Sequence, residues 1–194
     1  MNRMKIVLGV TGASGAAIAV RIAERLSEIE DAELHLILSP AAHRTLAHEV
    51  GAEALPSLLR KAARTYDHAD IGAAIASGSF STAGMIVAPC SMRTLAAIAS
   101  GMADNLVVRA ADVHLKERRR LILMARETPL HLGHMRNMCA ITEMGAIVMP
   151  PVPAFYHRPE TVEAIVDHLA ARAIDLLALP ITPLAKAWQG EDQG

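Results

Sequence analysis

The stretch Lys5-Ile-Val-Leu-Gly-Val-Thr-Gly-Ala-Ser-Gly15 limits what this chain can fold into more than any other. Ile6 to Val10 are consecutive apolar or small residues, the pattern of a strand buried on both faces of a parallel sheet. Thr11 to Gly15 then turn into a helix that opens with the small residues Ala16, Ala17 and Ala19. A glycine-rich turn at a helix N-terminus presents free backbone N–H groups and positive partial charge, which suits a phosphate. The sequence therefore predicts a nucleotide or flavin phosphate at the top of the first strand.

A dinucleotide does not fit. The glycines fall at 9, 12 and 15, a G-x-x-G-x-x-G spacing, where the dinucleotide fingerprint is G-x-G-x-x-G. The second strand, Glu33 to Ser39, ends in Ser-Pro and places no acidic residue for a ribose hydroxyl.

At 194 residues the chain reads as one domain over 1–180 with a C-terminal tail over 181–194. A net charge of -1 gives no electrostatic reason to expect nucleic acid or an acidic membrane surface. Apolar residues make up 52% of the chain but aromatics only 3%, so the core is aliphatic, and the apolar excess points to an oligomer interface. Cys90 and Cys139 form no metal-ligand pattern, and no metal site is expected. No uncharged apolar run approaches the length of a membrane span, so a cytoplasmic protein is expected.

Beyond the first unit, helices are expected over 14–28, after Ser39-Pro40, and over 95–100, 105–118, 134–144 and 160–176. Strands are expected over 34–38, 84–88, 121–125 and 146–149, while 51–80 reads as the least regular stretch. Ser77-Gly78-Ser79-Phe80 within it reads as a tight functional turn or a linker. Strands alternating with helices predict a flavodoxin-like (Rossmann-like) α/β fold, a parallel sheet with helices on both faces. Its ligands would sit beyond the carboxyl ends of the strands, where Gly12–Gly15, Ser39, Pro89–Thr94, Arg126-Glu127 and the loop from Pro150 all fall.

Each of these turns also has a plain structural reading. Ser14, Ser91 and Thr94 are good helix caps. Lys116 to Arg120 reads as a solvated helix end whose charge complements the dipole. Arg126-Glu127 reads as a surface ion pair, and Tyr156 as a loop-packing aromatic.

Taken together they resemble one family. Gly9-Val-Thr-Gly-Ala-Ser-Gly15, Pro89-Cys-Ser-Met92, Val108-Arg-Ala-Ala-Asp-Val-His-Leu-Lys-Glu-Arg118, Arg126-Glu-Thr-Pro129 and Pro153-Ala-Phe-Tyr-His157 resemble the UbiX/Pad-type flavin prenyltransferases, in order along nearly the whole chain. The Trp188-Gln-Gly tail is similar to the branch associated with phenolic-acid decarboxylase operons.

The resemblance implies a homo-oligomer, typically a dodecamer, with active sites at subunit interfaces. It implies transfer of a dimethylallyl group from dimethylallyl monophosphate to N5 and C6 of reduced FMN, without a metal. The product, prenylated FMN, would serve a partner UbiD-type decarboxylase. By the same resemblance Gly12, Ala13, Ser14, Ser39, Ser91, Met92, Arg93, Thr94 and Arg126 line the FMN site. Lys116, Tyr156 and Arg172 would hold the prenyl phosphate, with Arg109 supplied across an interface. Cations there would stabilise the departing phosphate.

Glu127 would repel phosphate unless protonated, and is read as the proton donor to the leaving group. Ser14 and Glu49 resemble a pair set near flavin N5, with a solvated helix residue as the other reading of Glu49. Trp188 is the candidate aromatic wall for an allylic cation.

One departure stands out. Arg136 in His134-Met-Arg-Asn-Met138 replaces the family's usual Glu, which bears on subunit contacts more than on chemistry. Three other functions compete: a flavin-dependent cysteine decarboxylase, a non-catalytic FMN carrier or accessory subunit, and direct decarboxylation by this chain. The first carries a Pro-Ala-Ser-Ala-Asn-Thr segment where this chain has Pro89-Cys-Ser-Met-Arg-Thr94, and neither of the first two needs the phosphate cluster. For the third, no base is evidently poised against a carboxylate.

Overall fold

The buried run after Lys5 lies inside strand β1, Met4–Val10, near the middle of a six-stranded sheet. The computed structural model describes residues 3–188 and residue 190. The other strands are β2 (Ala32–Leu38), β3 (Arg64–Tyr66), β4 (Gly84–Cys90), β5 (Leu121–Ala125) and β6 (Ile147–Val148). All pair in parallel, in the order β3-β2-β1-β4-β5-β6. Without the three-residue edge strand β3 this is the flavodoxin-like order, and the chain's direction of winding reverses between β1 and β4.

Among the described residues, seven helices cover the sheet: α1 (Ala16–Ser27), α2 (Pro40–Glu49), α3 (Ala54–Lys61), α4 (Met92–Ala99), α5 (Leu106–Lys116), α6 (Leu132–Glu143) and α7 (Val162–Asp175). Successive strand residues point to opposite faces, so the two cores divide the strands between them. Ile6, Leu8 and Val10 pack with α1, α2, α3 and α7, whereas Val7 packs with α4, α5 and α6. Both faces are apolar because a parallel sheet is covered on both sides.

The expected irregular stretch over 51–80 is corrected. It holds α3, β3 and a short 3-10 turn at Ala74–Ala76. Pro56 is the third residue of α3, where no backbone N–H has a partner within the helix. The Ser77–Phe80 turn is held from α5's far end, where the Arg119 guanidinium donates to the carbonyls of Gly78 (2.5 Å) and Phe80 (2.8 Å).

Of the tail expected over 181–194, Gln189 and residues 191–194 lie outside the described residues. Ile181 and Leu184 pack against the core that α1 and α7 share. Among the described residues, no helix is long and apolar enough to cross a membrane. Helix α6 buries only Ile141 and leaves Leu132, Met135 and Met144 exposed.

Candidate functional site

The carboxyl ends of β1 and β4 are tied by one side chain. The Thr11 hydroxyl donates to the Pro89 carbonyl at 2.7 Å and accepts from the Ser91 N–H at 2.9 Å. Thr11 is only 3% exposed, so nothing in solvent replaces these bonds. The two turns are thereby held side by side at the switch point, where ligands of open α/β sheets bind.

Two helix N-termini converge there. Ser39 caps α2, its hydroxyl accepting from the Ala42 N–H at 3.2 Å, with Pro40 in the first helical position. Ser91 caps α4 by accepting from the Thr94 N–H at 3.3 Å, and donates to the Thr94 hydroxyl at 3.0 Å. The structural reading of these serines as caps is correct, and it leaves both helix ends facing one cleft. Gly12 lies against α2 so closely that a Cβ there would meet the Ala41 Cβ at 2.4 Å.

The cleft has a volume of about 560 Å³ and takes in Gly12, Ser39, Ser91, Arg93 and Thr94. It also takes in Thr11, Arg44 and His68, which the sequence reading did not single out. Arg44 sits one turn into the helix that Ser39 caps, so helical spacing alone was a signal for it. Nothing in the sequence marked His68. Burial and the neighbouring Arg93 charge hold its imidazole below its ordinary value, favouring the neutral ring. Met92 turns its side chain into the core instead of the cleft.

These features fit a flavin phosphate: two dipole-bearing helix ends, cap hydroxyls, two guanidinium groups, and a turn where a side chain would close the gap.

Beside the cleft, α1 begins differently from the expected serine cap. Its N-cap is Gly15, in the left-handed region at φ 111°, and no side chain of its own caps it. The Glu49 carboxylate, from the end of α2, accepts instead from the N–H groups of Gly15 and Ala16, each at 2.8 Å. The expectation that this helix end offers free N–H groups to a phosphate is therefore corrected: a carboxylate of the chain already holds them. Burial pushes the Glu49 carboxyl up, but bonds from Ser14, Gly15 and Ala16 and the charge of Arg126 together bring it below its ordinary value. Ser14, Glu49 and Arg126 are thus brought together at the first helix's N-terminus.

Glu127 and Arg126 are both exposed, and the Glu127 carboxylate accepts from the Thr128 N–H at 3.0 Å. The four residues expected at the prenyl phosphate are spread over the protomer. Arg109 sits one turn into α5 and pairs with Asp112 at 2.7 Å. Lys116 ends α5, at the amino end of β5 and beside Gly78, and pairs with Glu117. That places it at the opposite end of the sheet from the cleft. Tyr156 and Arg172 lie on the α7 side: the Tyr156 ring packs on His157, which meets His168, and the Arg172 charge acts on His168.

Residues 1–174 match the Flavoprotein family. A probable UbiX-like flavin prenyltransferase of Bacillus subtilis (strain 168) is 51% identical over 97% of this chain and 91% of its own. The chain belongs to the UbiX-type flavin prenyltransferase family. The solved structure of a UbiX-type protein, AnUbiX (PadA1), in complex with FMN and dimethylallyl pyrophosphate is similar to this family member at TM-score 0.92. It shares 43% identity, with 98% of this chain and 100% of that one covered. A dodecameric FMN-dependent UbiX-like decarboxylase from Escherichia coli O157:H7 aligns at TM-score 0.91 and 47% identity, covering 96% and 100%. The resemblance read from the motifs and the flavodoxin-like fold are therefore both correct.

Proposed function

We propose that this protein transfers the dimethylallyl group of dimethylallyl monophosphate to N5 and C6 of reduced FMN, making prenylated FMN for a partner UbiD-type decarboxylase. The observation that carries the reading is likeness over nearly the full length to flavin prenyltransferases, one of them solved with FMN and a dimethylallyl phosphate ester. The reduced flavin supplies the nucleophilic positions.

The chain's own residues bind and orient. Gly12, Ala13, Ser14, Ser39, Ser91, Arg93 and Thr94 form the FMN site, Met92 contributing its backbone only, with Arg126 on the flavin. The helix ends capped by Ser39 and Ser91 face its phosphate. Lys116, Arg109, Tyr156 and Arg172 hold the prenyl phosphate, and Glu127 gives a proton to it as the C–O bond breaks. Developing negative charge on that phosphate is what fixed cations stabilise. Ser14 and Glu49 manage protons beside N5.

Lys116 lies too far from the cleft of its own protomer to act there, so a complete site takes residues from more than one copy. The exposed apolar face of α6 and the dodecameric relative support a dodecamer. The domain is taken as 1–180, and the protein as cytoplasmic.

The test is anaerobic. Purified protein is mixed with reduced FMN and dimethylallyl monophosphate, and the released flavin is weighed by mass spectrometry. The expected product carries one isoprenyl unit and is lost in Lys116→Ala. Bound but unmodified FMN in a well-folded oligomer would favour a flavin carrier instead.

A further inference from the structure

Helix α7 ends on Asp175, a carboxylate where the helix dipole disfavours negative charge. Its two oxygens are both used. Oδ1 accepts from the Leu184 N–H at 2.7 Å and Oδ2 from the Ala185 N–H at 3.0 Å. The chain leaves α7 through Ala178, in the left-handed region at φ 54°, and returns along the helix it has just left. Leu179, Ile181 and Leu184 rest on the core.

Directly past the two bonds to Asp175, Lys186 joins His157 and His168 around a cavity of about 250 Å³. Trp188 then meets Tyr156 edge to face, with ring centroids 5.3 Å apart at 77°. Among the described residues, Trp188 makes this ring contact although it is 58% exposed. So little burial does not hold a large ring in place, and its position depends on where the preceding chain is fastened. Among the described residues, Asp175 is the polar fastening nearest to it along the chain.

We propose that Asp175 is a positioning residue: it clasps the returning chain at residues 184 and 185 and so places Trp188 against Tyr156 at the prenyl-phosphate site. This rests on reading Tyr156 as a contact to that phosphate. Asp175 itself touches no substrate.

Trp188 is the single tryptophan of the chain, so its fluorescence reports on this one position. Time-resolved emission anisotropy is measured on the intact oligomer of wild type, Asp175→Ala and Asp175→Asn. Asn keeps one acceptor and loses the other, so it falls between the two. Loss of the clasp adds a nanosecond local motion of the tryptophan. In Asp175→Ala the KM for dimethylallyl monophosphate rises about tenfold, the scale of losing hydrogen bonds to a charged group. FMN affinity and the helical circular dichroism stay as in wild type.

Unchanged anisotropy in a folded Asp175→Ala oligomer overturns the clasp. Added motion with an unchanged KM overturns its role in positioning. A wild type that binds FMN but makes no prenylated flavin fails the function reading before any variant is made, and the anisotropy still decides the clasp.

Discussion

Glu49 caps a helix it does not belong to: its carboxylate accepts from the N–H of Gly15, 34 positions earlier in the chain, at 2.8 Å. Glu49→Ala leaves the N–H groups of Gly15 and Ala16 to solvent, and costs about 1 kcal/mol, the usual scale of a lost N-cap. The pH dependence has a definite sign. The folded carboxyl is held below its ordinary value of 4.5, so the contribution is present above that pH and is lost as the pH falls through the folded value. Thermal melts of wild type and Glu49→Ala therefore differ at neutral pH and converge in acid.

Gly12→Ala tests the close approach of β1's turn to α2. The new methyl would meet the Ala41 Cβ at 2.4 Å and the Ala41 carbonyl carbon at 3.3 Å, so the start of α2 must move. Overpacking of this kind costs about 1–3 kcal/mol. The expected result is a lowered midpoint in urea unfolding, with FMN affinity reduced in the fraction that stays folded.

Thr11→Val keeps the shape of the side chain and removes its hydroxyl. The Ser91 N–H then loses its acceptor, while the Pro89 carbonyl keeps the Thr11 N–H at 3.3 Å. A destabilisation of about 2 kcal/mol follows from one orphaned group in this setting. Isothermal titration should show weaker FMN binding, because Ser91 is no longer held beside the first strand's turn.

His114 gives the acid limb of stability. It is fully buried, Nδ1 donating to the Ala110 carbonyl at 2.7 Å and Nε2 accepting from the Thr82 hydroxyl at 2.9 Å. Burial pushes its imidazole down from 6.5 to about 4, against the pull of the Ala110 bond. Between those values the unfolded chain binds the extra proton, so stability is full above 6.5 and declines as the pH falls toward 4. The slope reaches about 1.4 kcal/mol per pH unit. Urea titrations across that range should show the decline, and His114→Gln should flatten it.

Glu127→Gln removes the proton proposed for the leaving phosphate and keeps the side chain's size. Single-turnover prenylation should slow by about 100-fold or more, within the range for general acid catalysis, with FMN binding unchanged. Full activity in this variant would remove the role.

Much of the architecture was legible because it rests on local patterns. An apolar run of strand length, a Gly turn, Ser39-Pro40 and Asn105 before an apolar helix each act within a few residues. β5 has the limits its apolar run predicts, Leu121–Ala125. The 51–80 stretch was illegible because its elements are short and carry too few periodic positions to stand out. At the site, Ser39 and Ser91 could be read from capping chemistry, but His68 could not, since it reaches the cleft from a loop with no periodicity.

By itself the sequence determined the parallel α/β fold, the tight glycine turn after the first strand and the family, because propensity, capping and motif spacing are properties of neighbouring residues. Only the tertiary structure decided that Glu49, not Ser14, caps α1, that Thr11 joins two strand ends, and that Lys116 lies at the far end of the sheet from the cleft. Those relationships join residues far apart in the chain or depend on which end of the sheet a helix reaches, and such contacts exist only once the sheet has closed in register and the helices have packed on it.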